Sequence, residues 1–216
     1  MSLLDLNHVT LAEDLRFVIG RCLEMYQTEG HALCGLIGPS AIGLSGHSLG
    51  GKISLLEAAT DGRVRAAAPL DPVDGGGPVA LDPVRYPSVA PELMPQIRIP
   101  LLLVGAQLGG DVVLFTACAP TDENSERFFD AANPPAIEVT QLDVGHAQYV
   151  DPGAGALFLA SCAQGEVPGG WVRASSAAYV TAFLLGALRG EGDARSWLDA
   201  RLAEDEAAGR VRVRRK

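Results

Sequence analysis

A serine attacks a carbonyl only when a nearby base takes its proton and an acid holds that base in place. In this 216-residue chain the serine with the most telling surroundings is Ser48, in the run Gly46-His47-Ser48-Leu49-Gly50-Gly51. A short apolar segment, residues 42–45, precedes it, and a helical pattern over residues 52–59 follows. A serine on a tight turn between strand and helix has its Oγ lifted clear of the sheet. Glycines on both sides let strand and helix approach closely around a strained residue. The Leu49 N–H then opens a helix, where it can stabilise a developing oxyanion. The chemistry this predicts is acyl transfer through a covalent serine intermediate.

The base must come from four histidines. His8 and His31 lie in or near polar turns and read as surface residues, and His47 is the variable position of the turn, with its side chain directed away from the attacking oxygen. His146, placed by Gly145 directly after an apolar strand, is the expected base. The acid is expected between the two in chain order. Asp71, which ends a strand ahead of Pro72, is favoured. Asp111 is the alternative, as the nearest carboxylate after the third strand, although Gln107-Leu108-Gly109-Gly110 intervenes. Asp143 is too close to His146 along one strand end to orient it. Pro72, Val73, Leu114, Phe115 and Tyr149 put apolar side chains into the loops around such a site and point to an apolar ester. No cofactor or metal is called for, since Cys22, Cys34, Cys118 and Cys162 are scattered without ligand spacing. Cys22 reads as a buried thiol, and a bridge between Cys118 and Cys162 is compatible with their placement in loops.

The elements that would position these residues alternate. Strands are expected over residues 42–45, 64–70, 101–106 and 137–142, and helices over 124–132, 175–188 and 193–208, the last around Trp197, Leu198 and Leu202. Thr10 and Glu13 form a capping box ahead of a helical stripe of Leu11, Leu15, Val18, Cys22 and Tyr26. This is the pattern of an α/β domain with a mostly parallel sheet flanked by helices. Residues 74–96 are rich in Gly and Pro and read as a lid or a mobile loop. One domain is expected over residues 1–208. A basic tail, 209–216, then ends the chain, solvated and frayed.

Composition excludes some functions. A net charge of −9 argues against nucleic acid as a partner. No segment reads as a membrane span and the N-terminus has no signal-peptide pattern, so a cytoplasmic location is the default, with secretion left open.

Five segments together carry a resemblance: Gly46 to Gly51, Leu70-Asp71-Pro72-Val73-Asp74-Gly75, Cys118-Ala119-Pro120, Phe128-Phe129, and Val144-Gly145-His146. From about residue 11 to 188 the chain resembles the chlorophyllase family and its bacterial relatives within the α/β-hydrolases. The resemblance implies an α/β-hydrolase fold and a serine carboxylic-ester hydrolase with Ser48 as nucleophile, His146 as base and Asp71 as acid. Leu49 stands where that family usually has arginine, a change that leaves the backbone oxyanion donor intact. Against the full fold the chain reads as N-terminally truncated, because only 41 residues precede Ile42. The loop that supplies a second oxyanion donor belongs to those earlier strands. The strand before Ser48 would then be an exposed apolar edge, which a homodimer could cover. The competing expectation is a truncated, catalytically weak hydrolase scaffold that functions as a dimer or an interaction protein.

Overall fold

The computed structural model describes residues 7–75, 82–152 and 160–216. Helix α1 (His8–Gln27) leads to strand β1 (Ile42–Leu44), helix α2 (Leu49–Thr60), and strands β2 (Val64–Ala67) and β3 (Leu101–Ala106). A small antiparallel hairpin of β4 (Val112–Val113) and β5 (Thr116–Ala117) follows, then α3 (Ser125–Ala131) and β6 (Ala136–Gln141). Helices α4 (Gly169–Arg189) and α5 (Gly192–Ala207) and strand β7 (Val211–Arg215) complete the chain. The main sheet has the order β1-β2-β3-β6-β7, with β7 antiparallel to β6 and the other pairs parallel.

β3 shows why the domain has three layers. Its six residues are all buried, so neither face meets water. Leu101 and Leu103 join one core with Leu55, Leu56, Phe128 and Phe129 from α2 and α3. Leu102 and Val104 join a second core with Val172, Tyr179 and Phe183 from α4 and Leu198 and Leu202 from α5. The period of two in a strand sends alternate side chains to opposite helical layers, and a continuous apolar run is the result.

Several expectations are corrected. α1 begins before the capping box: Asn7 is the cap, its Oδ1 accepting the Thr10 N–H at 2.8 Å. Its buried residues are His8, Ala12 and Ile19, whereas Val18 faces solvent and Cys22 is half-buried. α4 is long and apolar enough to cross a membrane, contrary to the reading that no segment is. Here the apolar surface packs on the sheet and on α5. Of the supposed lid, residues 76–81 lie outside the described residues. From 82 to 96, Val89, Ala90 and Met94 are fully buried, while residues 82–85 face solvent.

The tail is the largest correction. Residues 211–215 form a sheet strand, with Val211 and Val213 alternating against arginines in the period of a half-buried strand. The positive charges have partners: Arg210 with Asp205, Arg212 with Glu126, Arg214 with Glu138 and Asp130, and Arg215 with Asp199. Glu138 has no exposure, and burial pushes its carboxyl pKa up against the opposing pull of Arg214. Removing one partner of such a pair strands the other. Arg214→Ala is therefore expected to lower the unfolding free energy by about 3 kcal/mol in urea denaturation, and adding Glu138→Gln should recover part of the loss. An unchanged urea midpoint for Arg214→Ala would contradict this account.

Candidate active site

The carboxyl ends of β1, β2 and β6 bring three residues together, at the edge of an open sheet where ligands are generally bound. Ser48 lies on the turn between β1 and α2 with φ 56° and ψ −122°, a conformation costly for a side-chain-bearing residue. The turn is held from below: the Ser48 N–H donates to Leu70 O at 3.0 Å and the Leu70 N–H to Gly46 O at 2.8 Å. A Cβ on Gly46 would lie 2.5 Å from the Gly50 carbonyl, and one on Gly51 would lie 3.0 Å from Gly46 O and from the Pro72 side chain. At Gly50 it would meet open space. Close approach therefore demands glycine at 46 and 51, and the expectation of a steric need at 50 is corrected.

His146 opens a short 3-10 turn, His146–Tyr149, after β6, and is 1% exposed. Its Nδ1 faces Asp71 Oδ2 at 2.7 Å and its Nε2 faces Ser48 Oγ at 2.9 Å. A carboxylate accepts, so Nδ1 carries the proton and Nε2 is left to accept the Ser48 hydroxyl. Asp71 is fully buried at the end of β2, and its other oxygen accepts the Ala106 N–H at 3.1 Å. Asp111 lies exposed at the end of the 3-10 turn Gln107–Gly110, and the carboxylate that meets the imidazole is that of Asp71. The arrangement can pass a proton from serine to imidazole while a fixed carboxylate stabilises the imidazolium.

Ser48 and Leu49 line a cavity of about 510 Å³ with His8, Val73, Thr116, Ala117, Cys118 and Glu123 among its walls. The Leu49 N–H belongs to the first turn of α2, whose amides have no intrahelical acceptor. Of the apolar residues expected around the site, Val73 lines this cavity. Pro72 is buried beneath the turn against Gly51, and Tyr149 is buried against His47. Leu114 and Phe115 form the tip of the β4–β5 hairpin and point to solvent, 72% and 101% exposed. Both central residues of this two-residue turn take positive φ, 48° at Leu114 and 77° at Phe115. Cys118, on the cavity wall, is bridged to Cys162.

The family model that matches the chain is that of chlorophyllase, over residues 37–206. The chain belongs to the chlorophyllase family. Among curated relatives it is 30% identical to Chlorophyllase-1 of Arabidopsis thaliana over 164 residues, which cover 68% of this chain and 49% of that protein. Among solved structures it matches a ferulic acid esterase from Streptomyces cinnamoneus with a TM-score of 0.57 at 24% identity, covering 85% of this chain and 49% of the other. That likeness is one of fold, the α/β-hydrolase fold. The chain spans about half the length of these relatives.

In this chlorophyllase-family chain two histidines near Ser48 have placements that the sequence reading missed. His8 is buried in the cavity wall, edge-on to Tyr86 at 5.0 Å, and its Nδ1 has no hydrogen-bond partner among the described residues. Behind the cavity the Lys52 ammonium is buried 3.2 Å from Asp74 Oδ1 and donates to Asp74 O at 2.6 Å. Burial pushes the Lys52 pKa down, with Asp74 opposing. His47 reaches from the turn to the carbonyl of His146, 3.0 Å away. Burial first, and then the Lys52 charge, push His8 down to about 4. Burial, then His146, push His47 to about 4.

Both rings are thus neutral in the folded chain where the unfolded chain titrates at 6.5. The unfolded state binds more protons as pH falls from 6.5 towards 4, so stability present above that window is lost across it. Each ring contributes at most about 3 kcal/mol. Urea denaturation at about pH 4.5 is expected to show a lower midpoint than at about pH 7. His8→Gln should narrow that gap, and equal midpoints at the two pH values would refute the assignment.

Proposed function

We propose that the chain is a serine carboxylic-ester hydrolase acting on an apolar ester. The observation that carries this reading is the hydrogen-bonded run from Ser48 Oγ through His146 to the buried Asp71 carboxylate, opening on a cavity. Ser48 Oγ attacks the ester carbonyl as its proton moves to His146 Nε2. The tetrahedral oxyanion is met by the Leu49 N–H. His146 returns the proton to the departing alkoxide, leaving an acyl-enzyme. Water, deprotonated by the same imidazole, then releases the acid and restores Ser48.

Leu49, Val73, Ala117 and Pro120 supply apolar cavity walls, while His8, Thr116 and Glu123 supply polar points for orienting the ester. Chlorophyll, named by one relative, and a feruloyl ester, named by another, therefore belong beside p-nitrophenyl butyrate in a substrate panel. Ser48→Ala is expected to abolish turnover, and Asp71→Asn to lower kcat by about 10⁴-fold. Asp111→Asn should leave kcat as it is. Loss of activity in Asp111→Asn with retention in Asp71→Asn would overturn the assignment of the acid.

A second reading, a weakly catalytic scaffold that works as a homodimer, is favoured by one feature. Among the described residues β1 is the outer strand of the sheet, and beside it lies an apolar groove of about 620 Å³ lined by Leu36, Ile37, Ala41, Leu184 and Leu188. A second copy pairing along β1 would cover both. Sedimentation velocity at rising concentration is expected to show a monomer–dimer equilibrium that Ile42→Pro abolishes, whereas a monomer throughout would exclude this reading.

A further inference from the structure

His47 is the variable residue of the serine turn, and nothing in the proton relay described above uses its side chain. Its backbone is tied to the strand end that carries the acid. It forms an isolated parallel bridge with Leu70, and Leu70 forms another with Val104 of β3. The neighbouring residues, Gly46 and Ser48, bond to Leu70 in both directions. The next residue along, Asp71, donates its own N–H to Val104 O. The Cα of His47 is therefore registered to the strand end that carries the acid.

From that anchor the ring crosses to the loop that carries the base. Its Nε2 lies 3.0 Å from the carbonyl oxygen of His146. Its ring centroid is 4.5 Å from that of His146, at an interplanar angle of 35°. It is also stacked at 5.5 Å and 25° on Tyr149, the last residue of the turn that His146 begins. One side chain thus touches both ends of the base-bearing turn. The opposite flank is held by Gln148, whose Oε1 accepts the N–H groups of Gly145 and Gly165. A carbonyl can only accept, so the His47 proton resides on Nε2.

We propose that His47 is a positioning residue for the proton relay: its Nε2–H, donated to the His146 carbonyl, keeps His146 Nε2 within reach of Ser48 Oγ. This rests on the ester-hydrolase reading of the site. The relay works only while a 2.9 Å contact between two separate strand ends is maintained. Misplacement of a reacting group by about 1 Å costs on the order of 100-fold in rate. His146 has no covalent tie to the serine turn, so side-chain contacts such as this one must hold the register. The ring's neutrality matters as well. His47, its titratable neighbours His146, Asp71 and Tyr149, and the imidazolium formed during turnover share one buried pocket. A second positive ring there would oppose charging of the base.

The test separates the donor from the ring. His47→Phe keeps the aromatic packing on Tyr149 and loses the N–H. His47→Gln keeps an N–H donor and loses the ring. Steady-state hydrolysis of p-nitrophenyl butyrate and the rate constant for labelling of Ser48 by a fluorophosphonate are measured for both, with wild type and Ser48→Ala as references and thermal unfolding as the check on folding. The expected result for His47→Phe is a fall of about 10- to 100-fold in kcat and in labelling rate, with KM within about twofold. His47→Gln should recover labelling to within about threefold of wild type. A folded His47→Phe that labels as fast as wild type would overturn the inference, as would equal losses in both folded variants. Should His47→Phe fail to fold, His47→Ala takes its place beside His47→Gln, both lacking the ring: labelling at least about 10-fold slower in folded His47→Ala than in His47→Gln supports the donor role, and equal rates overturn it. Wild type that neither turns over nor labels at Ser48 would instead overturn the ester-hydrolase reading, and this inference with it.

Discussion

The Asp71 carboxylate lies at the end of β2 with no exposure to water, and a polar group at that depth is costly unless donors surround it. Its donors come from two other places in the sheet: the Ala106 N–H at the end of β3 and the His146 Nδ1–H after β6. Satisfying one buried group therefore draws three strand ends into a single arrangement. It also decides the chemistry, because a histidine that gives its Nδ1 proton to a carboxylate must offer a bare Nε2 to whatever lies opposite. Ser48 lies opposite, 2.9 Å away.

The surrounding loops are secured by comparable polar latches. Asp74, three residues beyond the acid, accepts the N–H groups of Val89 and Ala90 and the hydroxyl of Ser88, and it pairs with the buried Lys52 of α2. Residues 88–90, within a stretch rich in proline, are thereby tied to the core. On the far wall the Cys118–Cys162 bridge joins the cavity lining to the segment that leads into α4. At the other edge of the sheet, Arg214 and Lys216 lie over the Phe129 ring at 4.6 and 5.0 Å while they also meet polar partners. Basic residues there are part of the packing of β7.

Much of this was legible in the residues. The apolar run of β3 matched its strand from end to end, because a strand covered on both faces has no polar positions to blur its limits. The serine turn was legible because its conformation imposes local requirements, visible as Gly46 and Gly51. The strand ends at Gly145 and Pro72 pointed to His146 and, ahead of Asp111, to Asp71. Other features gave misleading local signals. A basic C-terminal run resembles a solvated tail until its acidic partners, Glu138 on β6 and Asp199 on α5, are brought alongside. Leu114 and Phe115 look like pocket residues by type, but a two-residue turn carries them outward. His8 looks like a surface residue beside Asn7, because its burial depends on Tyr86 and on the distant Ser48 cavity.

By itself the sequence determined the three-layer α/β architecture, the location of the strained serine and the identity of the residues able to form a proton relay. Each of these depends on side-chain periodicity or on backbone requirements that act within a few residues. The tertiary structure decided which carboxylate meets His146, which side chains wall the cavity, that α4 packs against the sheet, and that residues 211–215 join it as a strand. The acid and the added strand depend on satisfying buried polar groups across separations of 75 or more residues, as between Asp71 and His146 or Glu138 and Arg214. No local pattern encodes such pairings, since the penalty for leaving a buried charge alone arises only once the chain has closed around it.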